Sequence, residues 1–114
     1  MSILRRACQI LAQVFPDAHF ILDSNTIQNP GLFVIIEGVE RLDIQSVRLP
    51  CSLYCAFLGV GNQLWENLDP ILDFFHSNPS FLEGRFDFYK MSLQEVKEHL
   101  SLAHVQFSLR LFKE

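Results

Sequence analysis

The chain has 114 residues, of which 49% are hydrophobic, eleven are Phe and 19% are charged, so it can bury a core of its own and is far from the composition of a disordered segment. Its formal net charge is −4, and apart from Arg5 and Arg6 the nine basic residues stand singly, which excludes the electrostatic footprint of a nucleic-acid binder. No apolar run approaches the roughly eighteen residues of a membrane span, and the odd count of three cysteines offers no disulfide framework. The expectation is a single cytoplasmic domain over residues 1–114, with no membrane contact and no signal-peptide core after Arg6.

Ser2 is placed to cap a first helix, in which Ile3, Leu4, Ala7, Ile10, Leu11, Val14 and Phe15 form one apolar stripe. Pro16 and Asp17 end it, and Arg5, Gln9 and Gln13 fall on the outer side. A short extended piece over 19–22 leads to two turn signals, Asp23-Ser24-Asn25 and Asn29-Pro30-Gly31. Residues 32–36 are apolar on both faces, as a strand in the middle of a sheet would be. Gly38 permits a bend, after which residues 41–45 alternate like a half-exposed strand, with Gln45 and Ser46 as turn residues. A second long strand alternates from Leu49 to Leu58, with Pro50 near its start, where a missing N–H is tolerable.

Beyond Gly59-Val60-Gly61, with Asn62 as cap, a second helix carries Leu64, Trp65, Leu68, Ile71, Leu72 and Phe75 on its inner face. Pro70 either kinks this helix or restarts it with Asp69 as cap. A strand is expected over 81–89, then a short third helix from the capping-box spacing Ser92-Leu-Gln-Glu95 to about Leu100, then a closing strand with Val105, Phe107, Leu109 and Leu111 on one face. The fold class is therefore α+β: four to five mostly antiparallel strands, with two main helices on one face and a short third helix.

No catalytic, cofactor-binding or metal-ligating residue emerges. Cys51 and Cys55 share a strand face, but no further ligand pair completes a metal site, so both read as buried thiols. His19, His76, His99 and His104 stand near element ends without a nucleophile signature. Gly59-Val60-Gly61 lacks both the third Gly of a dinucleotide fingerprint and the Gly-Lys-Ser/Thr of a P-loop, and the acidic pairs Glu37/Glu40 and Glu95/Glu98 read as solvated. Surface asymmetry says more. Arg5 and Arg6 lie on the outer side of the first helix, Glu66 and Asp73 on that of the second, and Phe74 falls about 120° from the core stripe, making these five the candidate subunit interface.

The N-terminal helix, the apolar segments Leu32-Phe-Val-Ile-Ile-Glu-Gly-Val and Leu49-Pro-Cys-Ser-Leu-Tyr-Cys-Ala-Phe-Leu-Gly, the helix that follows and the closing His104-Val-Gln-Phe-Ser-Leu-Arg-Leu-Phe strand resemble the small tail terminator and tail completion proteins of bacteriophages and prophages. The resemblance lies in element order and size, with no motif from which residue roles carry over. It implies a non-enzymatic assembly protein without cofactors, forming a ring, commonly a hexamer, that caps the tail tube and meets tail-tube and head-connector proteins in the host cytoplasm and the virion. Two other readings stand beside it. One is a small acidic chaperone of the type III secretion class, although such chaperones usually end in a helix. The other is an α+β enzyme or ligand-binding domain whose site has no sequence spacing.

Overall fold

The computed structural model describes residues 2–58, 62–77, 79–81, 84–97 and 100–112. Helix α1 spans Ile3–Val14, and the Ser2 hydroxyl accepts from the Arg5 N–H at 3.2 Å, as the sequence predicts. Strand β1 is Ala18–Phe20, and a 3-10 turn at Ser24–Thr26 is held by the Asp23 carboxylate, which accepts from the Asn25 N–H at 2.9 Å. Strands β2 (Gly31–Ile36), β3 (Glu40–Arg41) and β4 (Ser46–Leu58) precede helix α2 (Asn62–His76); β5 (Ser80–Phe81), β6 (Gly84–Lys97) and β7 (Leu100–Phe112) follow it. No helix among the described residues is long and apolar enough to cross a membrane.

The strands form one mixed sheet in the order β1-β2-β4-β7-β6-β5, with β3 paired to the start of β4 and β1–β2 as the one parallel pair among the described residues. Its centre is the β4–β7 ladder, antiparallel from Ser46↔Phe112 to Leu58↔Leu100. Because side chains alternate across a strand, this register puts Leu49, Cys51, Leu53 and Cys55 beside Leu109, Phe107, Val105 and Ala103 on one face. Ala7, Leu11 and Phe15 of the α1 segment and Leu68 and Phe75 of α2 close over that face and complete the core. Phe75 is its hub, with ring centroids 4.8 Å from Phe107, 5.2 Å from Phe74 and 5.9 Å from both Phe15 and Phe88. A fully buried Phe contributes about 1.5–3 kcal/mol by burial, and offset or edge-on ring pairs add to it.

Four expectations are corrected. No short third helix forms over 92–97: β6 continues through this stretch, pairing Ser92↔His104, Leu93↔Ala103 and Gln94↔Leu102. The capping-box spacing is real, but a helix this short is marginal alone, whereas β7 offers a partner for the backbone. The sheet is mostly antiparallel as expected but has more than four or five strands, because the short pieces β1, β3 and β5 join it; β1 overlaps the extended piece expected over 19–22. The apolar β2 lies between β1 and β4, off the sheet's centre, with Phe33 and Ile35 only half-buried on its second face. Finally, residues 42–45 are a turn, in which the Asp43 carboxylate accepts from the Gln45 N–H at 2.7 Å, a bond that also lowers the Asp43 pKa. Of the two readings left open at Pro70, a restart is ruled out: α2 is one helix with Pro70 inside it on the exposed side. Gly59-Val60-Gly61 lies outside the described residues.

Where β6 starts, it runs so close to β7 that a Cβ on Gly84 would stand 1.8 Å from the Arg110 carbonyl oxygen. Gly84→Ala is therefore expected to cost about 1–3 kcal/mol or more, read as a lower urea midpoint; an unchanged midpoint would overturn this register.

Candidate functional site

The helices leave the second sheet face open, and the same alternation that builds the core lines it with polar residues. From β4 come Arg48, Pro50, Ser52 and Tyr54; β7 adds His104, Gln106, Ser108 and Arg110, and β6 adds Arg85 and Asp87. Two clefts open on it, of about 380 and 390 Å³, and Glu37 forms a wall of both. The first is lined further by Glu40, Arg48, Tyr89 and Ser108, the second by Asp23, Ile35, Tyr54 and His104.

Glu37, just after β2, is held by its N–H, which donates to the Pro50 carbonyl at 2.8 Å. Its Oε1 accepts a short hydrogen bond from the Ser52 hydroxyl, whose oxygen lies 2.7 Å from His104 Nε2. His104 in turn stacks on its cross-strand neighbour Tyr54, with centroids 4.3 Å apart and planes 9° from parallel. A carboxylate only accepts, so the Ser52 O–H donates to Glu37, and the serine oxygen accepts from Nε2–H of His104. The chain of donors thus runs His104 → Ser52 → Glu37. A nucleophilic triad needs a different order, in which a histidine takes the proton of an exposed serine. Ser52, at 2% exposure, has its proton committed to the acid, so this arrangement can brace two strands and fix a histidine tautomer but does not activate a nucleophile. Desolvation lowers the His104 pKa; Glu37 opposes this and Lys90 adds to it.

A second feature lies further along the same face. Arg110 of β7 is the cross-strand neighbour of both Arg48 on β4 and Arg85 on β6, so three guanidinium groups lie in a row across three strands. The outer two have carboxylate partners: Arg48 Nε is 3.0 Å from Glu40 Oε2 and Arg85 Nε is 3.2 Å from Asp87 Oδ1. Arg110 lies between them, its guanidinium 5.7 Å from the centroid of the Phe112 ring and its buried Nε without a hydrogen-bond partner among the described residues.

The five candidate interface residues do not form one surface. Arg5 is exposed on α1, and Glu66 and Asp73 are exposed on α2, where Asp69 joins them. Arg6 corrects the reading: at 7% exposure it is turned inward, and its Nη2 donates to the Phe112 carbonyl at 3.0 Å, tying α1 to the end of β7. Phe74 corrects it too, being half-buried with its ring 5.8 Å from Phe15 and 5.6 Å from Phe86. Trp65, expected in the core, is 48% exposed. Both reversals share a cause. Relative to Phe75, at about 100° per residue, Phe74 lies to one side of the core stripe and Trp65 about as far to the other; α1 packs on the Phe74 side, through Phe15. Neither Leu64's side chain, expected in the core, nor His99 and Glu98 fall within the described part.

The cysteines match expectation: Cys51 and Cys55 are buried, and loss of solvation pushes both thiols up to about 12. The described residues hold no group of three or more His, Cys, Asp or Glu that could bind a metal ion. The Glu37–Ser52–His104 chain and the arginine row escaped the sequence reading because each depends on the register of strands far apart in sequence; alternation showed which side chains point outward, not which ones meet. Compared with known proteins, the chain matches no family model and no curated sequence.

Two outcomes follow from these environments. An aromatic disulfide reagent should label only Cys8 in the native protein and all three thiols in denaturant; rapid native labelling of Cys51 or Cys55 would contradict their burial. For His104, the folded-state pKa is below the unfolded value of about 6.5. As pH falls through 6.5 the unfolded chain takes up a proton that the folded chain refuses, so stability declines until the lowered folded value is passed. His104→Gln should flatten this decline in urea titrations below neutral pH, and an identical slope in both proteins would refute the assignment.

Proposed function

We propose that this chain is a non-enzymatic assembly protein of bacteriophage or prophage tail terminator type, whose copies close into a ring that caps the tail tube and joins it to the head. The observation that carries this reading is the one-sided sheet. Both helices cover one face, while on the other, built on strands of thirteen and fourteen residues, Ser52, Tyr54 and His104 are buried but Arg48, Arg85 and Tyr89 stay exposed. The outermost strands β1 and β5 have three and two residues, and the stretch of β6 beyond β5 is interrupted by register shifts at Phe88/Lys90 and Gln94/Lys97, features that discourage growth by strand addition. Faces rather than edges are thus the surfaces left for contact. Two different faces meeting head to tail generate a ring when the rotation closes.

The element order adds support: a helix, a sheet hairpin, a second helix and a closing strand. The Ser52–His104 pairing is consistent with a role that needs no catalysis, since the serine proton is already donated to Glu37. In this reading the protein has no cofactor, works in the host cytoplasm and the virion, and contacts tail-tube and head-connector proteins.

Light scattering coupled to gel filtration tests the proposal. A discrete oligomer, or assembly that rises with concentration, is expected, together with binding to tail-tube protein. A strict monomer up to millimolar concentration without that affinity overturns it, and a stable complex with an extended segment of a secretion substrate would install the chaperone reading instead.

A further inference from the structure

The outer side of α2 carries Glu66, Asp69 and Asp73, all exposed, spaced i, i+3 and i+7 on one stripe. The helix contains no Lys or Arg, and none of the three acids has an ion-pair partner among the described residues. An uncompensated acidic stripe on a chain whose net charge is already −4 is complementary to guanidinium groups, and the open sheet face lines up three, Arg48–Arg110–Arg85, the outer two paired with Glu40 and Asp87 and the central one acting on Asp43. The dimensions agree. Seven residues of helix rise about 10 Å, and two interstrand steps also span about 10 Å.

Apolar anchors flank both surfaces. Trp65, 48% exposed, sits beside the acidic stripe, and Tyr89, 79% exposed, sits beside the arginine row in the cleft of about 380 Å³ that Arg48 also lines. Trp, Tyr and Arg are the residue types that most often dominate binding at protein interfaces. The stripe and the row cannot meet within one copy, because α2 packs on the opposite face of the sheet.

We infer that neighbouring copies join head to tail, with the acidic stripe of α2 in one copy lying across the strands on the arginine row of the next and Trp65 entering the cleft beside Arg48. The inference rests on the ring reading and names its contact. In the assembly, Glu66, Asp69 and Asp73 supply the central Arg110 with carboxylates and compete with Glu40 and Asp87 for the outer two guanidinium groups. The contact uses a different patch on each partner, so it is heterologous and compatible with closure into a ring.

Charge reversal on exposed residues tests it. A helix variant, Glu66→Lys with Asp73→Lys, and a sheet variant, Arg48→Glu with Arg85→Glu, should each keep the wild-type melting temperature within a few degrees. Each alone should need a roughly tenfold or higher concentration to assemble, because like charges then face each other. An equal mixture should recover assembly, as an alternating and therefore even-numbered oligomer by native mass spectrometry. Trp65→Ala should weaken assembly without altering the fold. Variants that assemble like wild type, or folded variants whose mixture does not recover, overturn this contact while leaving the ring reading intact. A monomeric wild-type protein instead removes the ring reading itself.

Discussion

The structure depends on the antiparallel ladder between β4 and β7, paired along its whole length from Ser46↔Phe112 to Leu58↔Leu100. Once that register is set, every second residue is committed to one face. Leu49, Leu53, Val105, Phe107 and Leu109 become the floor on which Phe75 and Leu11 pack, and a one-residue slip would exchange this floor for Arg48, Ser52, His104 and Arg110. The core and the polar face are therefore two consequences of one alignment. The buried area on the helix side stabilises the register, and the register in turn assembles the other side.

The polar face shows how a sheet can bury hydrogen-bonding groups without losing stability. An unpaired hydroxyl or imidazole at this depth would cost about 1–3 kcal/mol. Here Ser52 and His104, at 2% and 9% exposure, satisfy each other and Glu37, and the Tyr54 ring covers the imidazole. The arginine row follows a different logic. Cross-strand like charges repel, and the chain limits this by giving Arg48 and Arg85 local carboxylates and placing the Arg110 guanidinium near the Phe112 ring.

Particular residues mark where reading the chain succeeded and where it stopped. The α1 stripe, the Ser2 cap, the alternation of β4 and β7 and the buried thiols of Cys51 and Cys55 were legible, since each rests on periodicity or composition within one segment. Ser92 and Glu95 misled because a capping box records only what a segment prefers in isolation, and β7 was the stronger partner. Arg6, Phe74 and Trp65 misled because a helical wheel has one reference direction while a packed helix has several neighbours: the end of β7 takes in Arg6, and Phe15 takes in Phe74. Of the five candidate interface residues, Arg5, Glu66 and Asp73 are exposed, whereas Arg6 and Phe74 are turned inward.

By itself the sequence determined that the chain is α+β, that two amphipathic helices need the same sheet face, and that α2 turns an acidic side to the surface, because these follow from hydrophobic period and charge placement within single elements. Only the tertiary structure decided that residues 84–97 form one long strand, that His104 meets Ser52 and Glu37, and that Arg48, Arg110 and Arg85 stand in line. The physical reason is pairing between segments remote in the chain. Register is settled by the free energy of burying one face of the whole sheet, and no local spacing records it.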